Sequence, residues 1–171
     1  KLSGSSSMPI LSIRLYPDPI LRKKTAPVSR ITAEIEDLLS DMIQTMHASP
    51  ATIGLAAPQV GHPVSVIVVD VTPKEKRHGL IVLLNPVLVA GDGKKILREG
   101  CLSLPDYTGN VTRFERVTVH GKNRQGIKVE FSTSGVEAIC LQHEIDHING
   151  LMFLDRVDSL KTDIFRRKRY L

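Results

Sequence analysis

The residues most able to do chemistry lie in one run near the end of the chain, Gln142-His143-Glu144-Ile145-Asp146-His147-Ile148-Asn149-Gly150. On a helix, side chains four positions apart rise from the same face one turn apart. His143 and His147 can therefore grip one metal ion, and Glu144 can reach a water beside it. The His-Glu-x-x-His pattern points to a metal hydrolase. Such a centre usually takes a third protein ligand and keeps one position open. No His or Glu follows His147, and the later carboxylates Asp155, Asp158 and Asp163 sit at no familiar ligand spacing. The third ligand must be sought upstream.

The chain has two cysteines. Cys140 lies on the helix of the histidines, but the stretch to His147 rises roughly 10 Å at about 1.5 Å per residue. That is too far for three ligands on one ion, so Cys140 reads as a packing thiol. Cys101 sits in Glu99-Gly100-Cys101-Leu102-Ser103-Leu104-Pro105, between two apolar stretches. Taken alone, that segment is a turn with a buried thiol. Beside two histidines that lack a partner, it becomes the natural third ligand. One thiolate with two imidazoles suits zinc, iron or nickel. A third segment, Gly54-Leu55-Ala56-Ala57-Pro58-Gln59-Val60-Gly61, places a neutral double donor and acceptor among small apolar residues. Gln59 there reads either as a surface turn residue or as a site amide.

These side chains need elements to hold them. Thr32 can cap a helix running to about Ala48, with Ile35, Leu38, Leu39, Met42, Ile43 and Met46 as its buried stripe. Val64 to Asp70 and Ile81 to Leu84 read as strands. Val87 to Val89 and Lys95 to Arg98 suggest a hairpin about Gly91-Asp92-Gly93. Val111 to His120 and Ile127 to Ser132 give two more strands. The helix of the histidines should start near Thr133 or Ser134 and stop at Gly150. A last short helix is expected over Ser159 to Tyr170. Strands followed by a site helix indicate an α+β fold, with mostly antiparallel strands packed around a central metal-binding helix.

The 171 residues, 42% of them hydrophobic, suit one catalytic domain over residues 8–171. Residues 1–7, a serine-rich run before Met8, read as an expression leader. No run of 18 apolar residues exists, so no membrane span is expected. Two cysteines, one assigned to metal, argue against a disulfide framework and for a reducing compartment. The net charge is +5. Arg156, Lys161, Arg166, Arg167, Lys168 and Arg169 cluster after Gly150. They read as a solvated helix end or as a contact with ribosomal RNA or protein. Aromatics are only 4%, so no interleaved RNA-binding pattern is present.

Taken together, the segments resemble the peptide deformylases. The family pattern runs Gly-Φ-Gly-Φ-Ala-Ala-x-Gln, then Glu-Gly-Cys-Leu-Ser-Φ-Pro, then Gln-His-Glu-Φ-Asp-His-Φ-x-Gly, with Φ apolar. All three occur here in that order, the last two at every specified position. Tyr16-Pro17-Asp18-Pro19-Ile20-Leu21 is similar to the family's opening segment. One departure is Thr52, which stands where the first motif begins with glycine; it bears on the loop shape and the pocket wall.

The resemblance implies removal of the N-formyl group from the N-terminal formyl-methionine of nascent peptides, releasing formate. It implies Cys101, His143 and His147 as metal ligands and Glu144 as general acid–base. Gln59 and the Leu102 N–H would donate to the developing oxyanion. Glu99 paired to Arg113 would brace the Cys101 turn. Ile53, Gly54, Leu97, Val136, Ile139 and Cys140 would wall the methionine pocket; by pattern alone they are equally core. It implies one divalent ion per chain, Fe(II) first, with nickel, cobalt or zinc in its place. The bacterial cytoplasm, a phage-infected cell or an organelle would house it. Two rival readings stay open. A metalloprotease shares the helix and the glutamate but gives Cys101 no role. A non-enzymatic, ribosome-associated metal protein could dispense with Glu144 and Gln59.

Overall fold

The computed structural model describes residues 10–167. The leader and the end of the expected final helix, beyond Arg167, lie outside that range. Two helices and eight strands follow in the order α1 (Ala33–His47), β1 (Gly54–Ala56), β2 (Val66–Val69), β3 (Ile81–Asp92), β4 (Lys95–Cys101), β5 (Leu104–Arg113), β6 (Arg116–Lys122), β7 (Lys128–Ser134), α2 (Gly135–Ile148) and β8 (Ile164–Arg166). All these strand pairs are antiparallel, in a five-stranded sheet β1-β2-β3-β6-β7 and a three-stranded sheet β4-β5-β8. The α+β class expected from sequence is what the chain adopts.

Both helices pack on the larger sheet, and the strand period of two sorts its side chains between them. Val66 and Val68 of β2 join α1's Leu39, Met42 and Met46 in one apolar cluster. Ile67 and Val69, pointing the other way, join α2's Ala138, Leu141, Ile145 and Ile148 in a second. Each such aliphatic side chain contributes about 1.5–3 kcal/mol by leaving water. The central strands are therefore buried on both faces, and α2 is clamped along its length. α1 forms as its sequence dictates. Thr32 is the N-cap, its hydroxyl accepting from Ile35 N at 3.3 Å.

The expected hairpin between Val87–Val89 and Lys95–Arg98 does not form. β3 is one strand whose far end pairs with β6, Asp92 facing Arg116, while β4 pairs with β5, Lys95 facing Arg113. The expected strand Val111 to His120 is likewise divided, β5 ending at Arg113 and β6 starting at Arg116. Both crossings between sheets occur at one corner. There Gly93 takes a φ of +71°, and an added Cβ would meet the Glu115 and Arg116 side chains. A turn signal with flanking apolar residues is satisfied as well by a change of sheet as by a hairpin. The last helix is also absent among the described residues: Ile164–Arg166 pairs with Tyr107–Gly109 as β8. Its charges suggest a helix end, but a ready strand edge recruits it.

Candidate metal centre

The β4–β5 turn delivers Cys101 and α2 delivers the histidines. The ligand atoms of Cys101, His143 and His147 all lie within 4.8 Å of one another. Cys101 Sγ stands 3.3 Å from His147 Nε2. The sequence separation from Cys101 to the helix is closed by the third apolar cluster, where Leu21, Cys101, Leu104, Val111, Met152 and Phe153 pack together. Phe153 also lies stacked beside the His143 ring, centroids 6.5 Å apart.

His143 gives its Nδ1 to Glu99 Oε1 at 2.8 Å, which leaves Nε2 for the centre. Glu99 is itself held by Arg113, at 2.6 and 2.9 Å. Burial works against the Glu99 charge, but the bonds from His143 and Arg113 win and hold its pKa below the ordinary value. His143 is pushed well above its usual pKa: burial opposes this, and the Glu144 charge with bonds to Cys101 and Glu99 outweighs it. His147 goes the other way, lowered by burial and then by the neighbouring His143 charge.

Glu144 is 3% exposed, and burial raises its pKa to about 7, with His143 and Arg113 partly countering. Its Oε1 has no hydrogen-bond partner among the described residues, nor has His147 Nδ1. A buried carboxylate oxygen without a partner is costly, and Glu144 directly follows His143 of the cluster Cys101, His143 and His147, a thiol and two imidazoles. That donor set, borderline-soft and closely spaced, fits a divalent transition metal.

Gln59 is 1% exposed, not a surface turn residue. Its Oε1 accepts from Ala56 N at 3.0 Å, which fixes which end of the amide is which. Nε2 is thereby aimed at Cys101 Sγ, 3.4 Å, and Ser103 Oγ, 3.2 Å. Gly54 passes so close to the helix that an added Cβ would come within 2.6 Å of both Cys140 Sγ and Glu144 Oε2. Cys140 Sγ is 3.5 Å from Ile53 O. Burial, then the Glu144 and Glu99 charges, push its thiol pKa well up. Ile53, Gly54, Cys140 and Glu144 therefore meet in one place. Val136 and Ile53 pack on the α2 cluster, Ile139 is buried, and Leu97 is half-buried on β4 opposite Val111. Leu102 follows Cys101 directly in the turn.

This geometry is matched by similarity along the chain. The family model described as Polypeptide deformylase matches residues 10–163.

The chain belongs to the peptide deformylase family.

A peptide deformylase of Syntrophobacter fumaroxidans is 48% identical over 161 residues, 94% of each chain. One from Thermodesulfovibrio yellowstonii is 45% identical, across 94% of this chain and 97% of its own. Among solved structures, the peptide deformylase of Legionella pneumophila superposes with a TM-score of 0.82 at 40% identity, covering 90% of this chain and 89% of its own. That of Synechococcus elongatus, solved with actinonin, gives 0.82 at 37%, covering 94% and 84%. Peptide deformylases are metal-dependent hydrolases that remove the N-formyl group from nascent peptides.

Sequence reasoning misses three parts of this deformylase centre. Ser103 holds the Gln59 amide. Asp146, inside the histidine motif, accepts from Arg113 at 2.9 Å. Phe153 backs His143. Ser103 and Asp146 each stand at a specified position of the motifs above, and that is their visible signal. Phe153 has none.

Proposed function

We propose that Cys101, His143 and His147 hold one divalent metal ion and that this centre removes the formyl group of formyl-methionyl peptides. The observation that carries the reading is the set of three metal-ligand atoms within 4.8 Å of one another, with the buried Glu144 carboxylate, one oxygen without a partner, following His143 directly in the chain. Bound there, a divalent cation supplies Lewis acidity toward water and the formyl carbonyl. Glu144 takes the proton of the attacking water and passes it to the departing amine. A carboxyl pushed to about 7 is matched to giving and taking protons near neutrality. The Gln59 Nε2 and the Leu102 N–H donate to the oxygen as charge grows on it. Gln59 can do so without flipping its amide, because its carbonyl end is fixed by the Ala56 N–H, by releasing one of its bonds to Cys101 Sγ and Ser103 Oγ. Glu99 and Arg113 keep the His143 ring turned toward the centre.

The methionine side chain is accepted by Ile53, Gly54, Leu97, Val136, Ile139 and Cys140. Formyl is admitted and larger acyl groups are excluded by the close wall at Gly54. Ferrous iron is the native metal in this reading, with nickel or cobalt as substitutes. The compartment is the bacterial cytoplasm, where formylated chains arise. Among the described residues no helix is long and apolar enough to cross a membrane. A ribosome contact through Lys161, Arg166 and Arg167 is a finer part of the proposal, tested by cosedimentation with ribosomes.

The deciding experiment is formate release from formyl-Met-Ala-Ser, beside its acetyl counterpart, with protein prepared without oxygen and loaded with iron or nickel. Turnover of the formyl peptide alone is expected. Metal-loaded protein that turns over neither peptide would overturn the reading.

A further inference from the structure

A line of ion pairs runs from His143 to the protein surface. Glu99 joins His143 to Arg113. Arg113 Nη1 then donates to Asp146 Oδ2 at 2.9 Å. Asp146 is closed from outside by Arg156, with Nη2 on Oδ1 at 2.9 Å and Nε on Oδ2 at 3.1 Å. Glu99, Arg113 and Asp146 are buried, whereas the Arg156 side chain is 47% exposed. The residues come from α2, β4, β5 and the 3-10 turn Phe153–Arg156, so the line ties all four to the ring of one candidate ligand.

A half-exposed arginine pair is usually worth little. This one differs because its acceptor is buried. Among the described residues, Arg156 is the side chain that serves Asp146 Oδ1, and Oδ2 is shared with Arg113. Arg113 in turn divides one rigid planar fork between two carboxylates. With Arg156 removed, Asp146 would draw the Arg113 fork toward its freed oxygen and away from Glu99. Glu99 would then hold the His143 Nδ1–H less firmly, and the Nε2 lone pair would lose its fixed aim. Arg113, Gln142, Asp146 and Arg156 already line a cavity of about 270 Å³. Cutting back Arg156 therefore widens an existing cleft and leaves the packed core intact.

We propose that Arg156 is a positioning residue for the metal centre, acting on the His143 imidazole through Asp146, Arg113 and Glu99. This rests on the reading that Cys101, His143 and His147 hold the ion.

The test uses cobalt-loaded protein. Cobalt release to a chelator, the visible bands of the bound ion, and the thermal midpoint of the metal-free protein are measured for the unaltered chain, Arg156→Ala and Arg156→Lys. Arg116→Ala is the control, since Arg116 makes a comparable pair with Asp92 at 2.8 Å on the open surface. Direct partners of a metal-bound histidine typically matter 10–100-fold, so a residue further out should speed release about 3–10-fold. The expected result is that faster release from Arg156→Ala, with shifted cobalt bands. Arg156→Lys should recover part of it, because an ammonium reaches one oxygen only. Release within about twofold of the Arg116→Ala rate would overturn the inference alone. So would faster release with unchanged bands and a matching loss of thermal midpoint, which is a merely structural effect. An unaltered chain that binds no cobalt would instead overturn the reading of the centre, and the inference with it.

Discussion

The two helices are held in opposite ways. α1 buries one stripe, Leu38, Leu39, Met42, Thr45 and Met46, and shows its charged face to water. α2 is buried at every position from Glu137 to Ile148, polar and charged residues included. The first is held mainly by transfer of apolar surface, with a few polar ties such as Leu11 N to Thr45 Oγ1 and Arg124 to Glu36. The second must also hold carboxylates and imidazoles out of water; Glu137, His143 and Asp146 are paired with neighbours from outside the helix, while Glu144 Oε1 and His147 Nδ1 are left without a partner among the described residues. Burying charge in this way rarely adds stability. What it gives α2 is fixed orientation at one spot.

That contrast can be broken at several points. The largest effect should come from Glu144→Gln, which keeps the shape of α2 but removes the proton carrier. Formate release should fall about 10²–10⁴-fold while metal content, read by elemental analysis, stays whole. Turnover close to that of the unaltered enzyme would remove Glu144 from the mechanism. Next, Arg113→Ala leaves Glu99 and Asp146 buried without their shared cation. It should cost about 3–5 kcal/mol in urea unfolding of the metal-free protein. Loss under about 1 kcal/mol would mean the ion pairs do little to hold α2 in place.

On α1, Leu39→Ala should cost about 2–5 kcal/mol by opening a cavity. The cobalt bands of that variant should not move. If they did, the two helices would not be separate systems.

A pH series sharpens the same contrast. The Glu144 pKa is raised in the folded state to about 7, above the ordinary carboxylate range. The folded metal-free protein therefore binds more protons than the unfolded chain across that window, and its contribution to stability falls as pH rises. Glu99 is lowered and has the opposite sign, adding stability that disappears as pH falls through its folded value. Stability of Glu144→Gln should decline less between pH 4.5 and about 7 than that of the unaltered chain. An unchanged slope would show that Glu144 is not buried as a neutral acid. The smallest effect is expected at Thr32→Ala, about 1 kcal/mol from a lost N-cap, read as a lower thermal midpoint.

The same division decides what the sequence makes legible. α1 can be read to within a residue of its end, because a cap and a period of 3.6 need no knowledge of the rest of the molecule. α2 shows no such stripe, and it is found through the chemistry of His143, Glu144 and His147. Cys101 and Gln59 follow from the need for a third ligand and from the motif around each. The Gly93 corner misleads, since local turn chemistry does not say which sheet the next strand will join. β8 escapes notice because Ile164–Arg166 is only a short strand and depends on an edge supplied by Tyr107–Gly109, far back in the chain. Arg156 is hidden for a related reason: within a basic run, nothing in the sequence marks it as having a buried partner.

The pairing of β8 also has a protective side. Tyr107, Thr108 and Gly109 would otherwise line the outer margin of the smaller sheet, their amides and carbonyls facing water in a ready row. Such a row can be completed by a strand from any other polypeptide. A chain cut before Ile164 would thus carry an adhesive seam close to Cys101, open to self-association while the histidines behind it remained in place.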